Sequence, residues 1–470
     1  LTTLITSYMA PCNGPAPSAN FVYWRTMILY LFGSFGWESY MTALAVKRQA
    51  IIDCRSRLNE MTQLYSGGSL FKGEGEILDG QSVVVENGKV IKVAPTGEFD
   101  GFAGETIDTS GGTLMPGLFD CHVHLCLGAE GDPGTAADKL LPGQITMKAL
   151  ERAQATLAGG ITAIRDCGGK DYLEFAVRDA VNDGQQMGPT IRASGKIICM
   201  TGGHGNRTGR IADGIDEVVQ AVREQIHAGS DLIKIMATGG VMTPGVNPED
   251  AHYTAEEIAA GIAEGRRFNK RSASHAQGRD GILNAVRGGI TSIEHGIFMD
   301  ETCVEEMLAQ STYLVPTVSA LRNILDNKGN GIPDYVIEKT ERVSEHHQRS
   351  IQMYYKAGGN IAMGTDAGTP FNKHGSNAME LEFMVDLGIK PVDALRFATS
   401  NSADLIGLED QGRVSEGMAA DFLIVDGNPA DVITMASRKE NHREVIKGGV
   451  VVSGANSRQN GLFFGRMAAF

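Results

Sequence analysis

Residues 231–268 read DLIKIMATGGVMTPGVNPEDAHYTAEEIAAGIAEGRRF. The stretch opens on a short apolar run and closes on a helical one. A loop rich in Gly and Pro lies between them. The helical part starts with Thr254 followed by Glu257, the spacing of a capping box, in which each side chain bonds the other's backbone N–H. The same alternation extends both ways, with a helical segment DEVVQAVREQIHAG at 216–229 just upstream. Candidate strands are TLMPGLFDCHVHL (113–125), ITAIRDCGG (161–169), TIRASGKIIC (190–199), DLIKIMATGG (231–240), RSASHAQG (271–278), ITSIEHG (290–296), TYLVPTVS (312–319) and NIAMGTDAG (360–368). Eight β/α units predict an α/β fold, a (β/α)8 TIM barrel. An open doubly wound sheet is the weaker alternative, because no Gly-rich phosphate loop follows the first strand.

Outside these units the pattern is strand-rich. Asn87-Gly88 separates SVVVE from KVIKV, which is a strong hairpin signal. A second strand-rich piece, ADFLIVDG (420–427) and REVIKGGVVVSG (443–454), lies near the C-terminus. Neither piece can bury a face alone, so the two are expected to form a small composite β-sandwich domain from 62–115 and 406–455. The barrel then takes 116–405, with an extension at 1–61 and a tail at 456–470. The extension holds both tryptophans and the apolar stretch Met27–Phe35, which is too short to span a bilayer. A membrane anchor or signal is the lesser reading of it.

The chain carries a net charge of −14, which argues against nucleic acid as a partner. Seven scattered cysteines form no CxxC pair and point to a reducing, cytoplasmic compartment, with export the lesser alternative.

Polar residues at the ends of the candidate strands suggest chemistry. In Asp120-Cys121-His122-Val123-His124, the two histidines are two apart on a strand and face one side, so both can reach one ion. An H-x-H alone is a weak signal. His275 ends the fifth strand and His295 the sixth. A core histidine bonded to backbone is the commoner reading of either one singly. Asp366 ends the eighth, where a bare carboxylate is costly to bury unless paired or metal-bound. Lys234 lies between Ile233 and Ile235 on the fourth. It reads either as a lysine snorkelling at a barrel rim or as a carbamylated lysine, whose new carboxylate can bridge two cations. Imidazole and carboxylate ligands together suit zinc or a similar divalent metal.

The phrases MPGLFDCHVHL, IKIMATGG, SASHAQG, SIEHG and MGTDAG, together with GRVSEGMAADFLIVDGNP, resemble the amidohydrolase superfamily. Within it the phrases look most like the imidazolonepropionase-related amidohydrolases that act as prolidases (Xaa-Pro dipeptidases) and dipeptide carboxypeptidases. The resemblance spans Leu64 to Gly454. It implies a binuclear site: His122 and His124 with Asp366 on one Zn2+, His275 and His295 on the other, and Lys234 bridging as its N6-carboxylate, formed with carbon dioxide. It also implies a homo-oligomer that acts on a small molecule, a dipeptide or an N-acyl amino acid. A hydroxide held between the ions would attack the amide carbonyl, and Asp366 would carry the proton. Tyr253 is a candidate donor to that carbonyl, or simply the apolar residue preceding the helix cap. His204 and Arg207 are candidates for holding a substrate carboxylate, or belong to a mobile Gly-rich loop. His227, His252, His374 and His442 read as surface or loop residues, and His346 and His347 as a pair on an outer helix. A cyclic-amide hydrolase or deaminase is the rival function, and a non-catalytic scaffold the third; Lys234 argues against the former and the full ligand set against the latter.

Overall fold

A computed structural model describes residues 62–454 of the chain. The chain divides into 1–60 and 61–470. The expectations for Met27–Phe35, the extension and the C-terminal tail fall outside the described residues.

The unit at 231–268 folds as its sequence predicts. Strand Leu232–Met236 is buried along its whole length, as a parallel strand covered on both faces must be. Helix Ala255–Arg266 begins at Thr254, whose Oγ1 accepts from Glu257 N at 3.3 Å while Glu257 Oε2 accepts from Thr254 N at 2.9 Å. The upstream helix spans Gly214–Ala228.

The architecture is mixed α/β. Among the described residues its parallel strands form two sheets rather than one closed sheet. One orders Leu118–Val123, Ile161–Asp166 and Thr190–Ala193. The other orders Arg210–Ile211, Ile198–Cys199, Leu232–Met236, Arg271–Ala276, Ser292–His295 and Tyr313–Val315. The third expected strand is therefore split. Gly195 at φ +75° turns the chain, and Lys196 N is drawn off to Gln225 Oε1 at 2.9 Å. The eighth, 360–368, is not a regular strand. It makes isolated parallel bridges, Ile361 to Leu314 and Ala367 to Val123, and Met363 O accepts from Cys121 N at 2.8 Å. Its ladder breaks because Thr365 N bonds Asp120 Oδ1 and Asp366 takes a left-handed φ of 63°.

The two strand-rich pieces do meet. A five-stranded sheet orders Val450–Gly454, His442–Lys447, Phe422–Asp426, Gly112–Pro116 and Ser69–Leu70, so both chain ends contribute to it. A four-stranded sheet, with Gln63–Ser66 and Glu105–Asp108, carries the hairpin Gln81–Glu86 and Lys89–Pro95. At its turn Asn87 and Gly88 have φ of 52° and 71°, the positive values a two-residue turn of this hand demands. Tyr65, Val83 and Val85 of this sheet share an apolar cluster with Leu114, Phe422 and Ile446 of the other. The rings of Tyr65 and Phe422 meet edge-on at 5.6 Å.

Candidate metal centre

The C-terminal ends of the parallel strands converge on a cavity of about 230 Å3. His122, His124, Lys234, His275, His295 and Asp366 all line it. Neighbouring imidazole rings lie close: His122 to His124 at 5.3 Å, His122 to His295 at 5.2 Å and His275 to His295 at 4.6 Å.

Each of the four histidines has its outer ring nitrogen engaged. His122 Nδ1 lies 2.8 Å from Glu294 Oε2 and His124 Nδ1 2.9 Å from the Gly168 carbonyl. His275 Nε2 lies 2.9 Å from the Gly239 carbonyl. His295 Nδ1 lies 2.7 Å from Thr317 Oγ1, whose own proton goes to Pro316 O. All four partners are acceptors, so these outer nitrogens are the protonated ones. In His122, His275 and His295 the inner nitrogens then carry lone pairs toward the cavity, the arrangement that a partner behind a metal-binding histidine imposes. Burial pushes His124 down, but its bond to Asp366 prevails and raises its pKa. Burial and the Lys234 charge hold His122 well below its ordinary pKa, and burial with His204 and His295 does the same to His275. Burial pushes His295 down to about 3. Asp366 Oδ1 stands 3.1 Å from His124 Nε2 and 3.5 Å from His122 Nε2. Burial pushes the Asp366 carboxyl up, but His122 and His124 prevail and hold it below the usual range.

Lys234 is 1% exposed, and its Nζ has no hydrogen-bond partner among the described residues. The amine ends buried at the cavity rather than extended into bulk water, which does not fit a lysine snorkelling at a barrel rim. Two of the six residues also pay in backbone strain, since His295 and Asp366 have φ of 72° and 63°.

The other candidates divide. His204 lies on the cavity wall, its ring 4.3 Å from that of His275 and its Nδ1 2.8 Å from Thr243 Oγ1. Burial pushes its pKa down to about 3. Arg207 lines the outer cavity and is half-exposed, but its Nε bonds Asp138 Oδ2 at 2.8 Å. Tyr253 is a correction. It is buried, its hydroxyl donates to the Ala212 carbonyl at 2.7 Å, and it is not among the described residues that line the cavity. It packs ahead of the helix cap, the other reading its position allowed. His252 and His442 are buried rather than superficial, and His374 Nε2 reaches the His124 carbonyl at 3.2 Å. His347 is also buried, with Nε2 2.8 Å from Pro316 O and 3.1 Å from His295 O, so it braces the turn that carries His295.

The supporting network went unread in the sequence. Glu294 is fully buried and accepts from Arg165 Nη2 at 2.8 Å and from Ser292 Oγ at 2.5 Å as well as facing His122. Asp120 accepts from His122 N, Thr365 N, Thr365 Oγ1 and Asn377 Nδ2, tying the first strand to residues 365–377. Burial, opposed by these bonds, lifts its carboxyl to about 6. The signal was present, since a charge inside a buried strand had already singled out Lys234. Glu294→Ala is expected to cost about 3–5 kcal/mol in denaturant unfolding, because it leaves Arg165 charged and unpaired in the interior. Glu294→Gln, which can still accept from Arg165, should cost less.

The five described cysteines, Cys121, Cys126, Cys167, Cys199 and Cys303, are buried and free. Among the described residues no helix is long and apolar enough to cross a membrane.

Comparison with known proteins bears on the same span. A model of the Amidohydrolase family matches residues 113–452. Ochratoxinase from Aspergillus niger is 30% identical over 448 aligned residues, covering 88% of this chain and 91% of that enzyme. A crystal structure of a Xaa-Pro dipeptidase with methionine bound in the active site superposes with a TM-score of 0.76 at 31% identity, covering 83% of this chain and 99% of the other. A prolidase complexed with N-methylphosphonate-L-proline gives a TM-score of 0.76 at 28% identity, with the same coverage of 83% and 99%. Since the match crosses every parallel strand that reaches the cavity and enters the composite sheet at both ends, the chain belongs to the amidohydrolase family and is a hydrolytic enzyme.

Proposed function

We propose that this enzyme hydrolyses amide bonds at a site for two divalent cations, releasing the C-terminal residue from dipeptides of the Xaa-Pro type or from N-acyl amino acids. One observation carries the reading: four inner imidazole nitrogens face one cavity around an unpartnered, buried lysine amine. Four imidazoles and a carboxylate gathered this closely around a buried amine make a donor set that a cation would hold together. The donor set fits zinc or a similar ion. His122, His124 and Asp366 would hold one ion, His275 and His295 the other, and Lys234, carboxylated by carbon dioxide, would supply the shared anionic oxygens. When bound, such ions lower the pKa of a water toward neutrality and polarise a carbonyl oxygen.

The chain's own residues supply the rest. Asp366 is held ionised, so it can take a proton at its carboxylate and return it to the leaving nitrogen. His204 sets its ring against that of His275 on the cavity wall, where the nitrogen not bonded to Thr243 would be available to a substrate's polar end. Ile197, Met236, Val241, Ile297 and Leu321 give the cavity an apolar wall that excludes water and accepts an apolar acyl or side chain. We also read the two parallel sheets as parts of one (β/α)8 barrel at 116–405, supported by the bridges of Ile361 and Ala367, and the two smaller sheets as a β-sandwich of 62–115 with 406–455, supported by their shared cluster.

The test is metal analysis of the purified enzyme combined with a screen of Xaa-Pro, Xaa-Arg and Xaa-Lys dipeptides and N-acyl amino acids. Close to two ions per chain and release of a free C-terminal amino acid are expected. A single ion bound independently of Lys234 would overturn the binuclear site. Failure to release any C-terminal residue would favour the cyclic-amide reading.

A further inference from the structure

Three residues at the outer part of the cavity form a group that the metal chemistry does not use. Asp138 closes helix Pro133–Asp138, which follows the first parallel strand. Lys170 follows the second and Arg207 the third. All three line the cavity. The Asp138 carboxylate is shared: Oδ1 accepts from Lys170 Nζ at 2.6 Å and Oδ2 from Arg207 Nε at 2.8 Å. Arg207 also donates to Thr135 Oγ1 at 3.3 Å, which keeps its guanidinium against the helix. Asp132, the other carboxylate here, is satisfied by Thr135 through both oxygens.

Asp132 also faces Arg207, so two cations meet two carboxylates on the cavity wall. Once Asp138 swings out, Lys170 and Arg207 stand against Asp132 alone and leave one net positive charge. Arginine is suited to a carboxylate by its paired donors, and lysine adds a second charge. The internal carboxylate is not locked in. Asp138 is 42% exposed and Arg207 48%, and ion pairs this exposed hold weakly. Asp138 can swing into water at little cost while another carboxylate takes its place.

We propose that Lys170 and Arg207 form the seat for the substrate's free carboxylate, and that Asp138 occupies this seat until substrate displaces it. This rests on the proposed hydrolysis of substrates with a free C-terminus and adds Lys170 as a specificity residue. Asp138 acts as an internal competitor, so the enzyme gives up affinity to keep the seat ordered when empty.

The test separates the seat from the reaction. Titration calorimetry on the metal-loaded enzyme would use 3-phenylpropanoate, a monocarboxylate with no scissile amide, and the neutral 3-phenylpropan-1-ol. Asp138→Asn should bind the carboxylate about five-fold tighter and Lys170→Met about five-fold weaker, with the alcohol unchanged in both. Asp138→Asn binding the carboxylate no tighter than wild type, or the alcohol shifting in parallel, would overturn the proposal. Asp138 is 42% exposed and Lys170 24%, and neither belongs to an apolar cluster, so both variants should keep the wild-type melting temperature. Turnover of an N-acyl amino acid against its C-terminal carboxamide adds a second readout: Lys170→Met should raise KM for the acid alone and leave kcat in place. If wild type cleaves neither compound, the proposed reaction fails, while the calorimetry still decides the seat.

Discussion

If Lys234 bridges two cations as proposed, Lys234→Ala is expected to leave the enzyme without bound divalent ions and to lower kcat/KM by about a thousand-fold or more, as the loss of metal-ion catalysis would. The reason lies in where the amine sits. Strand Leu232–Met236 pairs on both sides, with Ile198–Cys199 and Arg271–Ala276, which fixes Lys234 on a strand whose every residue is buried. Lys234 Nζ is buried with no hydrogen-bond partner among the described residues, and its charge acts on the imidazoles of His122, His275 and His295, which it pushes down. A bare ammonium is poorly placed there, whereas a carboxylated lysine is an anion with two oxygens to offer. Lys234→Met separates the effect from packing, because methionine fills most of the same volume. Both variants should read near zero ions by mass spectrometry of the metal, and acetate or propionate at high concentration should restore part of the activity of the alanine variant alone. Retention of both ions by Lys234→Met would dismiss the bridging role.

Asp366→Asn is expected to lower kcat by about 10²–10⁴-fold, the range for loss of a positioned proton carrier, with little change in KM. Its backbone N–H donates to the His122 carbonyl at 2.7 Å, so the residue is anchored independently of its side chain. Its Oδ1 lies near the inner nitrogens of both His122 and His124. A residue that served only as a ligand would lose ions and activity together. Asparagine keeps a ligating oxygen but cannot take a proton, so a proton carrier predicts lost turnover with most of the metal retained. Parallel loss of both would assign Asp366 to metal binding alone.

Much of the fold was legible along the chain because its signals are local. The capping box at Thr254 and Glu257, the Asn87-Gly88 turn and most of the apolar strand runs each lie within a few residues and folded as read. The third run is split at Gly195 and the eighth is irregular. The eighth unit was misread because NIAMGTDAG is apolar enough for a strand, yet its regularity is broken by Asp120, 245 positions away from Thr365. The pairing of both chain ends in one sheet followed from need: neither piece could bury a face alone.

The site divides the same way. By itself the sequence determined which residue types stand at the strand ends, because a charge or imidazole at the end of an apolar run is visible without a structure. That sufficed to nominate His122, His124, Lys234, His275, His295 and Asp366. Only the tertiary structure decided how those side chains are oriented. Glu294 fixes which nitrogen of His122 faces the cavity from 172 positions away, and Thr317 and Gly239 do the same for His295 and His275. It also decided that Tyr253 gives its hydroxyl to Ala212 and that Asp138 holds Arg207. A hydrogen bond depends on where two groups meet in space, and spacing along the chain encodes that only when the groups share a turn or a strand.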